Sequence, residues 1–217
     1  QVAINETGNP LTTELVNLIN PVAARQMLMI GITTTSFLFP FFWMLPGMSV
    51  TLIDKKEKID TYRKWLSDVV NGNEQTQVTN REVPSAPFVL HRVSFLPGDP
   101  LISTLPYGYD FAILSSVVQQ HFFHQNVELL RKIFHALLPG GRVVVREVLC
   151  APESNSHYSN AVYSVNSLVE TRGKPPYNFE EVKTALEQAG FIGVRLLNPE
   201  TWMDGVIEAY KPLSAQL

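Results

Sequence analysis

Residues 109–149 read YDFAILSSVVQQHFFHQNVELLRKIFHALLPGGRVVVREVL. The apolar run inside 110–115 (DFAILS) predicts a short buried strand. Val127, Leu130, Ile133 and Phe134 recur at helical spacing and predict a helix over 125–138 with one apolar face. Pro139, Gly140 and Gly141 are expected to stop it, because proline gives up an N–H and glycine favours turns. Residues 142–149 (RVVVREVL) then predict another strand. Apolar strand, helix and apolar strand in that order describe two parallel strands joined by a crossover helix.

The same alternation extends in both directions. Upstream, a helix is expected over 11–19, a strand over 26–31 (QMLMIG), a helix over 36–45, a strand over 48–53 (MSVTLI) closing on Asp54, and a charged amphipathic helix over 55–70. Pro40 is tolerable in the second helix because it falls in the first turn. Residues 71–87 are polar and read as a loop, and 88–95 as a strand. Downstream, a helix over 179–189 ends at Gly190, and strands over 191–197 and 206–210 follow without a helix between them, so they are expected to pair as an edge hairpin. The expected fold is α/β: one Rossmann-like domain over 1–217, with a seven-stranded, mainly parallel sheet, helices on both faces and an antiparallel closing hairpin. In such sheets ligands lie beyond the carboxyl ends of the strands at the topological switch point, here beside the first strand. The loop 31–36 and Asp54 fall there. An acid at the end of the second strand, about 20 residues past the first loop, suits the two hydroxyls of a ribose. The competing reading makes Asp54 an N-cap for the helix that begins at Lys55.

Composition narrows the function. With 217 residues, 45% hydrophobic and 17% charged, the chain can bury a large core. A formal net charge of −3 offers no basic excess for phosphate backbones, so a nucleic-acid role is disfavoured. Cys150 is the single cysteine, which excludes an internal disulfide framework and a multi-cysteine metal site, and inert packing is its expected role. His121 and His124 have helical spacing but no carboxylate to complete a zinc set, so no metal is expected. Neither a Gly-x-Ser-x-Gly elbow nor a phosphate-binding Gly-Lys-Ser/Thr loop occurs. The uncharged run between Arg25 and Asp54 is interrupted by Thr33, Thr34, Thr35, Ser36, Pro40, Pro46 and Gly47, so no membrane span is expected. Residues 1–10 lack the basic and apolar regions of a signal peptide, and a cytoplasmic location is expected.

These pieces carry a resemblance. The stretch 109–149 resembles the later core of small-molecule O-methyltransferases that depend on S-adenosylmethionine, a class I methyltransferase family. Residues 27–54 are similar to that family's first strand, cofactor loop and ribose acid. Gly98–Asp99–Pro100 resembles its turn near the adenine, and 189–191 with 206–212 its helix end and closing strand. The resemblance covers about 22–212. It implies S-adenosylmethionine as cofactor, held at Gly31, Thr33, Thr35, Asp54, Asp99 and Ser115, and methyl transfer to a small-molecule acceptor.

Two functional motifs depart from the family pattern. Where the family has a glycine-rich loop, this chain has Gly31–Ile32–Thr33–Thr34–Thr35, and each threonine adds a branched side chain where the backbone would approach the cofactor. Register from Asp110 puts Gln119 where the family's catalytic histidine stands, and a glutamine orients a hydroxyl without accepting its proton. His121 and His124 are the substitutes if the turn shifts; the other reading makes both surface residues at a helix start. The family's later acid falls on 175–178, which read Pro-Pro-Tyr-Asn. Three readings therefore stand: a methyltransferase whose acceptor needs little base, an inactive scaffold or binding module, and a different reaction on the same fold. Phe37, Phe39, Phe41, Phe42 and Trp43 cover more than one helix face. Either the helix is buried throughout, or it forms a patch covered by a second copy or an adjacent domain. The second is favoured here, because the family's N-terminal dimerisation domain is not seen in this sequence.

Overall fold

A computed structural model describes residues 10–21, 23–31, 38–71, 89–150, 176–198 and 205–214. In chain order its elements are α1 (Pro10–Ile19), β1 (Gln26–Ile30), α2 (Leu38–Met44), β2 (Ser49–Asp54), α3 (Lys56–Val70), β3 (Val93–Pro97), β4 (Tyr109–Ser115), α4 (Phe123–Ala136), β5 (Leu137–Glu147), α5 (Phe179–Gln188), β6 (Ile192–Leu196) and β7 (Gly205–Tyr210). The seven strands form one sheet in the order β3-β2-β1-β4-β5-β7-β6. Strands β1 to β5 pair in parallel, while β7 runs antiparallel to both β5 and β6. The expected closing hairpin is present, and its second strand is the one that joins the parallel sheet. The switch point falls between β1 and β4, as the order requires.

Two apolar layers cover the sheet. Met27, Met29, Val50, Leu52 and Ile113 pack with α1, α2 and α3 on one face. Leu28, Ile30, Ile53, Leu114 and Val145 pack with α4 and α5 on the other. Alternate residues of each strand thus feed opposite layers, which is why these strands read as unbroken apolar runs. Asp110 fastens the two central strands at their start: its carboxylate accepts the N–H groups of Arg25 and Gln26 at 2.9–3.1 Å.

The aromatic helix corrects an expectation. Leu38, Phe39, Phe41 and Phe42 are each at most 1% exposed within this chain, so they need no second copy or adjacent domain to cover them. Phe39 packs on Trp65 and Phe41 on Phe111, and the guanidinium of Arg92 lies 4.3 Å above the Phe42 ring. A helix wedged between α1, α3 and the sheet is apolar all round because it is surrounded. Phe37 lies outside the described residues. The uncharged run is strand, helix and strand, and no described helix is long and apolar enough to cross a membrane.

Other boundaries move for local reasons. Val89 and Leu90 are helical, and the strand expected over 88–95 is Val93–Pro97. The helix expected over 125–138 spans Phe123–Ala136. It starts early because Gln125 reaches back to accept the Phe122 N–H at 2.9 Å. It ends before Pro139, because Leu137 is extended and already pairs with Tyr109. Its last carbonyls are satisfied from elsewhere: Lys211 Nζ donates to Phe134 and Leu137, and Gly108 N–H to Ala136. Pro139, Gly140 and Gly141 instead lie inside β5, where the register with β4 shifts. At the start of α5, Asn178 and Glu181 cap each other's backbone N–H at 2.9 Å. Gly190, with φ of +102°, ends the helix region as expected.

Candidate functional site

The carboxyl ends of β1, β2, β3, β4 and β5 bring Gly31, Asp54, Asp99, Ser115 and Glu147 to one edge of the sheet. Gly31 has φ of +71°, a conformation natural to glycine. A Cβ there would lie 2.0 Å from Val117 Cγ2 and 2.8 Å from the Ser115 carbonyl oxygen. Glycine at this position lets the chain leaving β1 press against the end of β4. The turn after β4 also carries Ser116 at φ of +55°, a strained value for a residue with a side chain. Thr33 and Thr35 lie outside the described residues.

Asp54 is 7% exposed. Its Oδ1 accepts the Lys55 N–H at 2.8 Å, and its Oδ2 accepts the Tyr62 hydroxyl at 3.4 Å with Lys58 Nζ 3.5 Å away. The N-cap reading is not met: Lys55 is the N-cap of α3, and its cap has no side-chain hydrogen bond. A carboxylate offers about four lone-pair positions, so these bonds orient the group and leave room for a diol. Burial, with the Asp54 charge next, pushes the Tyr62 phenol well above its ordinary range. Asp99 accepts the Leu101 N–H at 2.9 Å and shapes the turn after β3. Ser115 is 6% exposed, and the Nη1 of Arg146, its register partner on β5, lies 3.5 Å from its Oγ.

Gln119 does not present its amide to a ligand. Nε2 donates to the Val148 carbonyl at 2.7 Å, and Oε1 accepts the Tyr177 N–H at 3.2 Å. The side chain ties the end of β5 to the segment that enters α5. The same segment sends the Tyr177 hydroxyl to the His121 carbonyl at 3.0 Å. His121 is half-buried at this junction, whereas His124 is exposed and stacks on Phe122. Among the described residues no cluster suited to a metal ion is found.

The sequence reading passed over Glu147. It is 3% exposed, and its carboxylate accepts the Val148 N–H at 3.3 Å and the Gln119 N–H at 3.4 Å. Burial pushes its carboxyl up to about 7, against the pull of those N–H groups and of Arg146. Its signal was available: an acid inside the valine-rich run 142–149 that no helix or turn requires. A cavity of about 350 Å³ lined by Asn20, Asp110, Arg142 and Tyr210 lies at the opposite edge, where β1 and β4 begin. It is remote from these groups, and strand-end chemistry locates the candidate site better than cavity size.

Comparison with known proteins gives the family and the fold. A family model described as an O-methyltransferase domain matches residues 76–192. The acetylserotonin O-methyltransferase of Mus musculus is 33% identical over 108 residues, which is 50% of this chain and 27% of that protein. The demethylspheroidene O-methyltransferase of Rhodobacter capsulatus is 30% identical over 121 residues, 54% of this chain and 30% of that protein. The crystal structure of human N-acetylserotonin methyltransferase in complex with SAM superposes with a TM-score of 0.73 at 20% identity, covering 94% of this chain and 52% of that one. PigF with SAH gives 0.73 at 21% identity, covering 94% and 62%. The aligned part is thus less than a third of each of these two curated relatives and less than two thirds of each solved chain.

Proposed function

The chain belongs to the O-methyltransferase domain family, and from that membership we propose that it binds S-adenosylmethionine at the carboxyl edge of β1, β2 and β4 and transfers its methyl group to a small-molecule acceptor. The observation that carries this reading is the Asp54 carboxylate, oriented by Lys55 and Tyr62 at the end of β2 on the parallel edge that also carries Gly31. A nearly buried carboxylate with lone pairs to spare is the chemistry a ribose diol needs. The cofactor would supply a methyl group on a sulfonium. The chain would supply the diol acceptor at Asp54, the close strand-end contact at Gly31 and Ser115, and the turn at Asp99 toward the base. We read the unit as one domain built on one sheet, and as a cytoplasmic one, with its single free thiol at Cys150.

The acceptor class follows from Gln119. Its amide is bound at both ends, and an amide takes no proton at neutral pH. The favoured acceptor is therefore one that ionises readily, such as an acidic phenol, or a carbon or nitrogen nucleophile. Transfer of labelled methyl from S-adenosylmethionine to a series of phenols of graded acidity tests this. Rates should rise as the phenol becomes more acidic. Equal rates across the series would sink the acceptor assignment, and no transfer to any acceptor would favour the binding-module reading.

A further inference from the structure

We propose that Tyr177, at the entry to α5, is a positioning residue of this site whose hydroxyl fixes the turn over residues 118–121 beyond β4; the proposal rests on the methyltransferase reading above. The turn leaves the carboxyl end of β4 just past Ser115 and Ser116. Val117, which precedes it, fills the space beside Gly31. A short turn ordinarily relies on its own backbone bonds and on water. Here three side chains from other elements, together with its own Gln119, hold it. Asn126 of α4 is buried and donates its amide to the Val118 carbonyl at 3.0 Å. Glu147 at the end of β5 accepts the Gln119 N–H at 3.4 Å. The Gln119 amide spans from the Val148 carbonyl to the Tyr177 N–H. The Tyr177 hydroxyl donates to the His121 carbonyl at 3.0 Å and is also bonded by the Asn126 side chain. The Tyr177 carbonyl accepts the Cys150 N–H at 3.0 Å. One residue thus uses its N–H, its carbonyl and its hydroxyl to join the turn, the exit of β5 and the start of α5.

Polar networks with little access to water are costly to leave partly made, so their members act together. Burial, with the Glu181 charge next, raises the Tyr177 phenol above its ordinary value, so the hydroxyl keeps its proton and remains a donor. Methyl transfer needs the acceptor in line with the sulfonium, and a misplacement of about 1 Å costs about 100-fold in rate. A turn set between Gly31 and Tyr177 gives the site a fixed wall at the end of β4. Tyr177 acts on that wall through the His121 carbonyl, not by contact with the reacting atoms.

The test compares Tyr177→Phe, which removes the hydroxyl and keeps the ring and both backbone bonds, with Asn178→Ala. The second variant loosens the cap of α5 at the next residue and leaves the hydroxyl in place, so it reports a merely structural role. Each protein is measured by amide hydrogen exchange and by methyl transfer to the phenol that the unaltered chain methylates fastest. In Tyr177→Phe the amides of Gln120 and His121, which bond to the Val117 and Val118 carbonyls, should exchange about 3- to 10-fold faster, the scale of one hydrogen bond. Its kcat should fall about tenfold, with KM for S-adenosylmethionine within about twofold. In Asn178→Ala faster exchange should appear at Glu181, with kcat within about twofold. Unchanged exchange at Gln120 and His121, faster exchange there with kcat unaltered, or equal losses of kcat in the two variants would each overturn the proposal. If the unaltered chain methylates no acceptor, it is the methyltransferase reading that fails, and exchange at the turn decides the Tyr177 clamp by itself.

Discussion

Replacing Glu147 with glutamine removes a carboxyl that burial has pushed from 4.5 up to about 7. Below the lower value both folded and unfolded chains keep the proton, and the group does not oppose folding. As pH rises past it, the unfolded chain releases the proton while the folded chain retains it, so stability falls until the folded group also ionises. One pKa unit is worth about 1.4 kcal/mol, so this carboxyl withdraws about 3 kcal/mol of stability between about pH 5 and about pH 8. Glutamine is neutral throughout and keeps a carbonyl for one of the two N–H groups, at Val148 or Gln119. Its pH-independent cost is about 1 kcal/mol for the second bond. Urea unfolding of both proteins across that range isolates the titration, because the constant cost cancels. The variant should start slightly less stable and end more stable, with the gap moving by about 3 kcal/mol. Parallel stability curves would show that Glu147 ionises as easily in the fold as outside it, and would refute the burial reasoning.

Gly31→Ala should lower stability by about 2–4 kcal/mol in a denaturant melt, because the new methyl meets Val117 and the Ser115 carbonyl in a backbone conformation that alanine resists. A loss below about 0.5 kcal/mol would mean the β1–β4 contact yields easily. Gln119→His should bring no methylation of plain phenol in a labelled-methyl assay and should cost about 1–2 kcal/mol, since the amide bridge from Val148 to Tyr177 is lost. Asn178→Ala should cost about 1 kcal/mol of stability through the lost α5 cap and leave cofactor affinity untouched.

The strands of the central sheet were legible because burial on both faces writes them as unbroken apolar runs, as in QMLMI and SVTLID. The position of Asp54 was legible for the same reason, since it follows the second such run. What escaped depends on partners distant in sequence. The end of α4 is set by Lys211, 74 to 77 residues away, and the strand pairing of Leu137 outweighs the stop signal at Pro139. The aromatic run of α2 looked like an uncovered patch because periodicity records how many faces are apolar, not what surrounds them. Gln119 could be located by register, but the bond to Tyr177 spans 58 residues and is visible once the chain is folded. Glu147 was overlooked because strand reading discounts a single acid, although an acid buried among valines is a sign of perturbed ionisation.

The central claim is that Asp54 belongs to a ribose-binding edge and not merely to the start of α3. Calorimetric titration with S-adenosylhomocysteine of the unaltered chain and of Asp54→Ala, each with a parallel thermal melt, tests it most directly. The unaltered chain should bind saturably. The variant should lose about 1.5–3 kcal/mol of binding free energy, the scale of a hydrogen bond to a charged group, while remaining folded. Equal affinity in the two proteins, with the loss appearing in the melt alone, would contradict the account.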